Sequence, residues 1–252
     1  MYKTALIVLL FGTPFGFFPK EVSPHRQEPV KPATSRIQQR LLNIALEEAN
    51  GHAVIGHTIG DSVVYRFKEM PDSQRNCGGL CFKVARDRVN RAFLEVTGKP
   101  LNDWIPASMA TPFLTPKQAF DWTWNINTQN NEIWRSLPDM RACGSAGAIQ
   151  LAKLGQIKGN TQVWNGELLP GAVVQVFVYV SDFEKVRYGI DNPRARDNLA
   201  SYGHSFIFLE YVRDEYENIT GMRVADQGFL NKILVTKSMY HIWWGANILD
   251  PK

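Results

Sequence analysis

Cysteine is scarce in this chain: Cys77, Cys81 and Cys143 are the only three among 252 residues. Three thiols cannot build a disulfide framework, and an odd count leaves at least one outside any pairwise bridge. Metal-ligand spacing is also missing. His52 and His57 stand five apart in a glycine-containing stretch, but no cysteine or carboxylate spacing completes a site. No block of Lys/Arg occurs, and the net charge is only +4. That excludes the strongly basic face of a nucleic-acid binder and leaves mild attraction to an anionic surface, such as a cell wall or lipid headgroups. Beyond residues 1–18 no apolar run is long enough to cross a bilayer. Repeats and low-complexity tracts are absent too.

What is present is an ordinary globular composition, 44% hydrophobic and 21% charged, enough for one domain with an N-terminal extension. Lys3 precedes a short apolar core ending at Phe11, the pattern of a secretory signal peptide. The bulky Phe15, Phe17 and Phe18 stand where a small-residue cleavage motif is expected. The expectation is a signal peptide over 1–18, a Pro-rich linker over 19–35 and a single domain over 36–252, secreted or periplasmic.

Ile37, Leu41, Leu42, Ile44 and Ala45 predict an amphipathic helix over 36–50. A second helical pattern follows Gly78-Gly79, with Cys81, Val84, Ala85, Val89, Ala92, Phe93 and Val96 on one face. Cys81 falls in its first turn, where unpaired N–H groups and the helix dipole favour an anion such as a thiolate. A buried structural cysteine is the plainer alternative. Cys77 precedes the Gly-Gly break, and Cys143 precedes a short helical stretch over 145–155 that Gly155 is expected to cap; both are rival nucleophiles. Thr115-Pro116 opens a further helix, as cap and first-turn proline. Trp104, Trp122, Trp124 and Trp134 read as core, or as stacking platforms for sugar rings where exposed.

From Val173 the apolar period changes to that of strands. Leu169-Pro170-Gly171 opens a buried strand, a polar loop spans 181–202, and strands follow at 205–212, 219–225, 232–235 and 240–244. Helices first and antiparallel strands after them predict an α+β fold. Gly203-His204 begins a strand and Asp226 ends its hairpin partner, so the two are expected at one edge of the sheet. There a carboxylate would orient an imidazole acting as general base toward a thiol. His241 is an alternative histidine and Glu210 a less well placed orienting residue.

In this order, helical Cys81, Pro170-Gly171 before a strand, Gly203-His204 opening the next and Asp226 one strand later, the chain resembles papain-like peptidoglycan amidases and endopeptidases of the CHAP and NlpC type, over about residues 36–230. The resemblance implies N-terminal helices packed on an antiparallel sheet, with Cys81 as nucleophile, His204 as base and Asp226 as orienting residue. It implies hydrolysis of amide bonds in peptidoglycan stem peptides through an acyl-enzyme, by a monomer needing no metal or organic cofactor. The partners expected are a peptidoglycan or peptide substrate and a cognate inhibitor or immunity protein. Leu80 departs from the polar residue that family members often place before the cysteine. A Cys77–Cys143 disulfide would leave Cys81 as the free thiol. The alternatives are a non-catalytic wall-binding module on the same fold and a transglutaminase-like acyltransferase.

Overall fold

The computed structural model describes residues 34–50, 80–191, 202–226 and 233–252, all within one compact unit, Thr34–Lys252. The expected signal peptide, most of the linker, His52, His57 and Cys77 lie outside the described residues. Thr34 and Ser35, read as the end of the linker, belong to the folded unit. The Ser35 hydroxyl accepts from the Gln38 N–H at 3.1 Å and donates to the Ile248 carbonyl at 2.7 Å, capping the first helix onto the last strand.

Seven α-helices and six strands are described: α1 (Arg36–Asn50), α2 (Leu80–Thr97), α3 (Pro116–Trp124), α4 (Asn131–Arg135), α5 (Gly144–Leu151), β1 (Gly155–Lys158), α6 (Asn160–Trp164), β2 (Val173–Phe177), α7 (Val180–Tyr188), β3 (His204–Arg213), β4 (Ile219–Ala225), β5 (Ile233–Val235) and β6 (Ile242–Ile248). The strands form one antiparallel sheet in the order β1-β6-β2-β3-β4-β5. The fold is therefore mixed α+β. Among the described residues no helix is long and apolar enough to cross a membrane.

Side-chain alternation along the strands divides the interior into two cores. Val173, Phe177, Ile207, Leu209, Ala225 and Ala246 face the apolar stripes of α1, α2, α3 and α5. Val174, Val176, Phe206, Phe208, Val224 and Trp243 face the other way and pack with Trp164 of α6. Trp124 and Trp134 are fully buried, and their indole N–H groups donate to the carbonyls of Phe82 and Val186. These two are core residues, unavailable as sugar platforms.

The Pro170-Gly171 turn has a local cause. Gly171 sits at φ +89°, and a Cβ there would lie 2.3 Å from the Gln38 carbonyl oxygen of α1. The buried Gln38 amide holds the same turn by donating to the carbonyls of Leu169 and Pro170. Both the dihedral and the close approach require glycine. Gly171→Ala is expected to cost about 2–4 kcal/mol, combining strain and clash. At this size that lowers Tm by roughly 5–12 °C, read by differential scanning calorimetry.

Three elements differ from expectation. The segment 181–202 is not all loop, since α7 occupies its start. The helix expected to reach Gly155 ends at Leu151, and Gly155 instead begins β1 at the sheet edge. Helix α6 was not anticipated.

Candidate functional site

His204 opens β3 and Asp226 follows the last residue of β4. The hairpin register, Ile207 opposite Ala225, brings the two together across adjacent strands. His204 Nε2 lies 2.8 Å from Asp226 Oδ1 and 2.7 Å from Oδ2. Both side chains are mostly buried, at 18% and 15% exposure. When Asp226 is ionised, Nε2 carries the proton and donates, and Nδ1 presents its lone pair. That is the tautomer a base needs for taking a proton from a neighbouring thiol.

Register also fixes which face the pair occupies. His204 is opposite Val176, and Val176 is opposite Trp243, so all three share one side of the sheet. The ring centroid of Phe206 lies 6.1 Å from that of His204. Tyr240 borders the pair as well; burial, aided by the negative charge of Asp226, pushes its phenol up to about 12. Tyr240 carried no signal in the sequence, because a tyrosine at the start of an expected strand looks like any packing residue.

The cysteines depart from expectation. Cys81 is 1% exposed in the helix-side core, and its sulfur is disulfide-bonded. Cys143 is the free cysteine, which overturns the idea of a Cys77–Cys143 bridge sparing Cys81. The physical reason is proximity: bonding depends on which sulfurs the fold brings within about 2 Å, and chain position alone does not reveal that. A sulfur held in a disulfide has no thiolate to offer, so the expected free Cys81 thiol is corrected to an oxidised one.

Cys143 is the N-cap of α5, and its surroundings are well defined. Gly144 has φ +57°, and a Cβ there would lie 2.5 Å from Gln175 Oε1. Ser145 Oγ and Ser205 Oγ are 2.8 Å apart, and Ser205 donates to Gln175 Oε1 at 2.8 Å. These three buried polar side chains satisfy one another and fasten α5 to β2 and β3, on the side of the sheet opposite His204. Among the described residues no hydrogen bond joins Cys143 to His204.

Burial pushes the Cys143 thiol up to about 12, the opposite of activation. Because the folded state keeps this thiol neutral, its contribution to stability is present below pH 9. It is lost as pH rises from about 9 toward 12, where the unfolded chain ionises first. Urea titrations at pH 8 and pH 10.5 check this. The wild type should lose more stability between the two than Cys143→Ala does.

His241 is exposed, and its Nδ1–H donates to the Val178 carbonyl, 2.5 Å away. Glu210 pairs with Arg223 at 3.2 Å on the surface. Neither joins the His204–Asp226 pair in the contacts described. Among the described residues no cluster of three or more His, Cys, Asp or Glu side chains is arranged to hold a metal ion.

Comparison with known protein families, curated proteins and solved structures finds no match to this chain.

Proposed function

We propose that the chain is a cysteine hydrolase of papain-like type, in which His204 and Asp226 serve a thiol supplied by Cys81 once its disulfide is reduced. The observation that carries this reading is the His204–Asp226 contact at 2.7–2.8 Å, which presents Nδ1 as a base. Helix α2 packs against β3, and Arg88 of α2 reaches the Ala225 carbonyl at 3.0 Å. Cys81 is seven residues from Arg88, about 10 Å along a helix. His204 is three residues from Ile207, the partner of Ala225, about 10 Å along a strand. Cys81 belongs to the helix-side core and His204 to the opposite face of the sheet, so the reaction requires the two to meet around the end of the sheet.

In the reaction, His204 Nδ1 takes the Cys81 proton and the sulfur attacks an amide carbonyl. The tetrahedral oxyanion meets N–H groups at the start of α2. Collapse breaks the C–N bond as the imidazolium returns its proton to the leaving amine. Water, deprotonated by His204, then attacks the thioester and releases a carboxylic acid and the thiol. No metal or organic cofactor takes part in this scheme.

The substrate class proposed is the stem peptide of peptidoglycan, on the resemblance of the motif order and on a net charge of +4 suited to an anionic wall. An exported, monomeric wall-lytic enzyme with a cognate inhibitor follows from the same reading. The test is digestion of purified sacculi by pre-reduced protein, wild type beside Cys81→Ala, with products read by mass spectrometry. New fragments from the wild type alone support the reading. No fragments from either folded protein would turn it toward a wall-binding module, and amine incorporation without hydrolysis toward an acyltransferase.

Cys143 is the second candidate nucleophile, favoured by the observation that it is the free thiol. Burial, which pushes its thiol up to about 12, weighs against it.

A further inference from the structure

A buried ion pair stands directly behind Asp226. Arg88 Nε lies 2.5 Å from Glu48 Oε2, and the two side chains are only 5% and 8% exposed. The same guanidinium donates from Nη1 to the Ala225 carbonyl at 3.0 Å. One side chain thus joins α1, α2 and the end of β4. A second guanidinium, that of Arg91, approaches the other Glu48 oxygen at 4.0 Å.

The carbonyl of Ala225 and the N–H of Asp226 belong to one planar peptide unit. Holding the oxygen fixes the plane, and with it the direction in which the Asp226 Cα leaves the strand. Ala225 is also the last residue of β4 and faces Ile207 in the ladder. The Arg88 contact therefore braces the final peptide before the carboxylate that holds His204.

Energetics give a reason to look for such a role. Removing two charges from water costs more than their mutual attraction often returns, and apolar replacements of buried pairs are frequently neutral or stabilising. Stability alone is a weak reason for a buried Arg–Glu pair here. A guanidinium, with a rigid fork of five donors, can serve a carboxylate and a carbonyl at once; a single ammonium nitrogen is poorly shaped for that.

We infer that Arg88, held by Glu48, is a positioning residue: it sets the Ala225–Asp226 peptide so that the Asp226 carboxylate stays on His204 Nε2. The inference rests on the proposed role of His204 and Asp226, but its first readout is independent of catalysis. A proton held between Nε2 and a carboxylate is protected from solvent exchange. In nitrogen-edited NMR it gives a downfield resonance, assigned by its loss in His204→Gln.

The variants are Arg88→Lys and the paired apolar replacement Glu48→Leu/Arg88→Met. The lysine keeps a charge beside Glu48 without spanning both partners, and the double variant leaves no unpaired buried charge. Both are expected to fold, with Tm equal to or above wild type for the double variant. Both should broaden or lose the Nε2 proton resonance and lower kcat at least tenfold, with KM within about twofold. A folded Arg88→Lys or double variant that keeps the resonance at wild-type position and sharpness would overturn the inference. Should the double variant fail to fold, Arg88→Lys carries the test alone. Failure of the hydrolase reading looks different: the wild type would show the resonance and its loss in the variants, yet cleave nothing.

Discussion

His204→Ala is expected to lower kcat/KM for stem-peptide hydrolysis by roughly 100- to 10,000-fold, the range for loss of a general base that later acts as the acid. The substitution removes both proton transfers while leaving β3 intact, because the ring stands at the first residue of the strand. Asp226→Ala should cost less, about 100-fold, since the imidazole remains but is no longer fixed in the tautomer that exposes Nδ1. Asp226→Asn should fall between Asp226→Ala and wild type, because its side-chain oxygen still accepts from Nε2. Steady-state kinetics on a defined tripeptide or tetrapeptide stem, with circular dichroism to confirm folding, read all three. Equal rates for Asp226→Ala and wild type would remove Asp226 from the mechanism.

The second large effect concerns oxidation. Cys81 is disulfide-bonded, so protein purified without reductant is expected to be inactive. Adding a dithiol should activate it by exchange: the dithiol's thiolate attacks one sulfur, and the products are two cysteine thiols and a cyclic disulfide. Activity should rise at least 100-fold, limited by residual reduced protein in the starting sample. Cys81→Ser should be inactive under both conditions, because a serine hydroxyl is a far weaker nucleophile than a thiol. Cys143→Ala should behave as wild type in both. Full activity of oxidised protein would exclude Cys81 and move the nucleophile to Cys143, the remaining thiol in the described structure.

How far the sequence carried can be judged from particular residues. Helix α1 was legible because Ile37, Leu41, Ile44 and Ala45 repeat at helical spacing and are all fully buried. Thr115-Pro116 was legible as a cap: Thr115 and Gln118 exchange backbone and side-chain hydrogen bonds. The meeting of His204 with Asp226 followed from hairpin logic, since the start of one strand and the end of its antiparallel neighbour share an edge.

Other features lay beyond local pattern. Helix α7 reads as polar loop because only Val186 is fully buried among its nine residues, which gives almost no periodic signal. Strand β1 is four residues at the edge of the sheet, too short for alternation to show, and its glycine resembles a helix stop. The state of Cys81 depends on a sulfur–sulfur distance, which no single-chain pattern encodes. Arg88 looked like one more arginine on a helix, since pairing with Glu48 forty residues away needs tertiary structure to be seen. The face occupied by His204 was in fact encoded. Ser205 and Ile207 alternate with Phe206 and Phe208, and period two assigns His204 to the phenylalanine side.

The most direct measurement is to trap the acyl-enzyme. Pre-reduced protein is mixed with stem peptide, quenched in acid within milliseconds to seconds, digested and mapped by mass spectrometry. The account predicts a thioester on the peptide containing Cys81, accumulating in wild type and absent from His204→Ala. An adduct on Cys143, or turnover that persists in Cys81→Ala with no adduct on any cysteine, would contradict it.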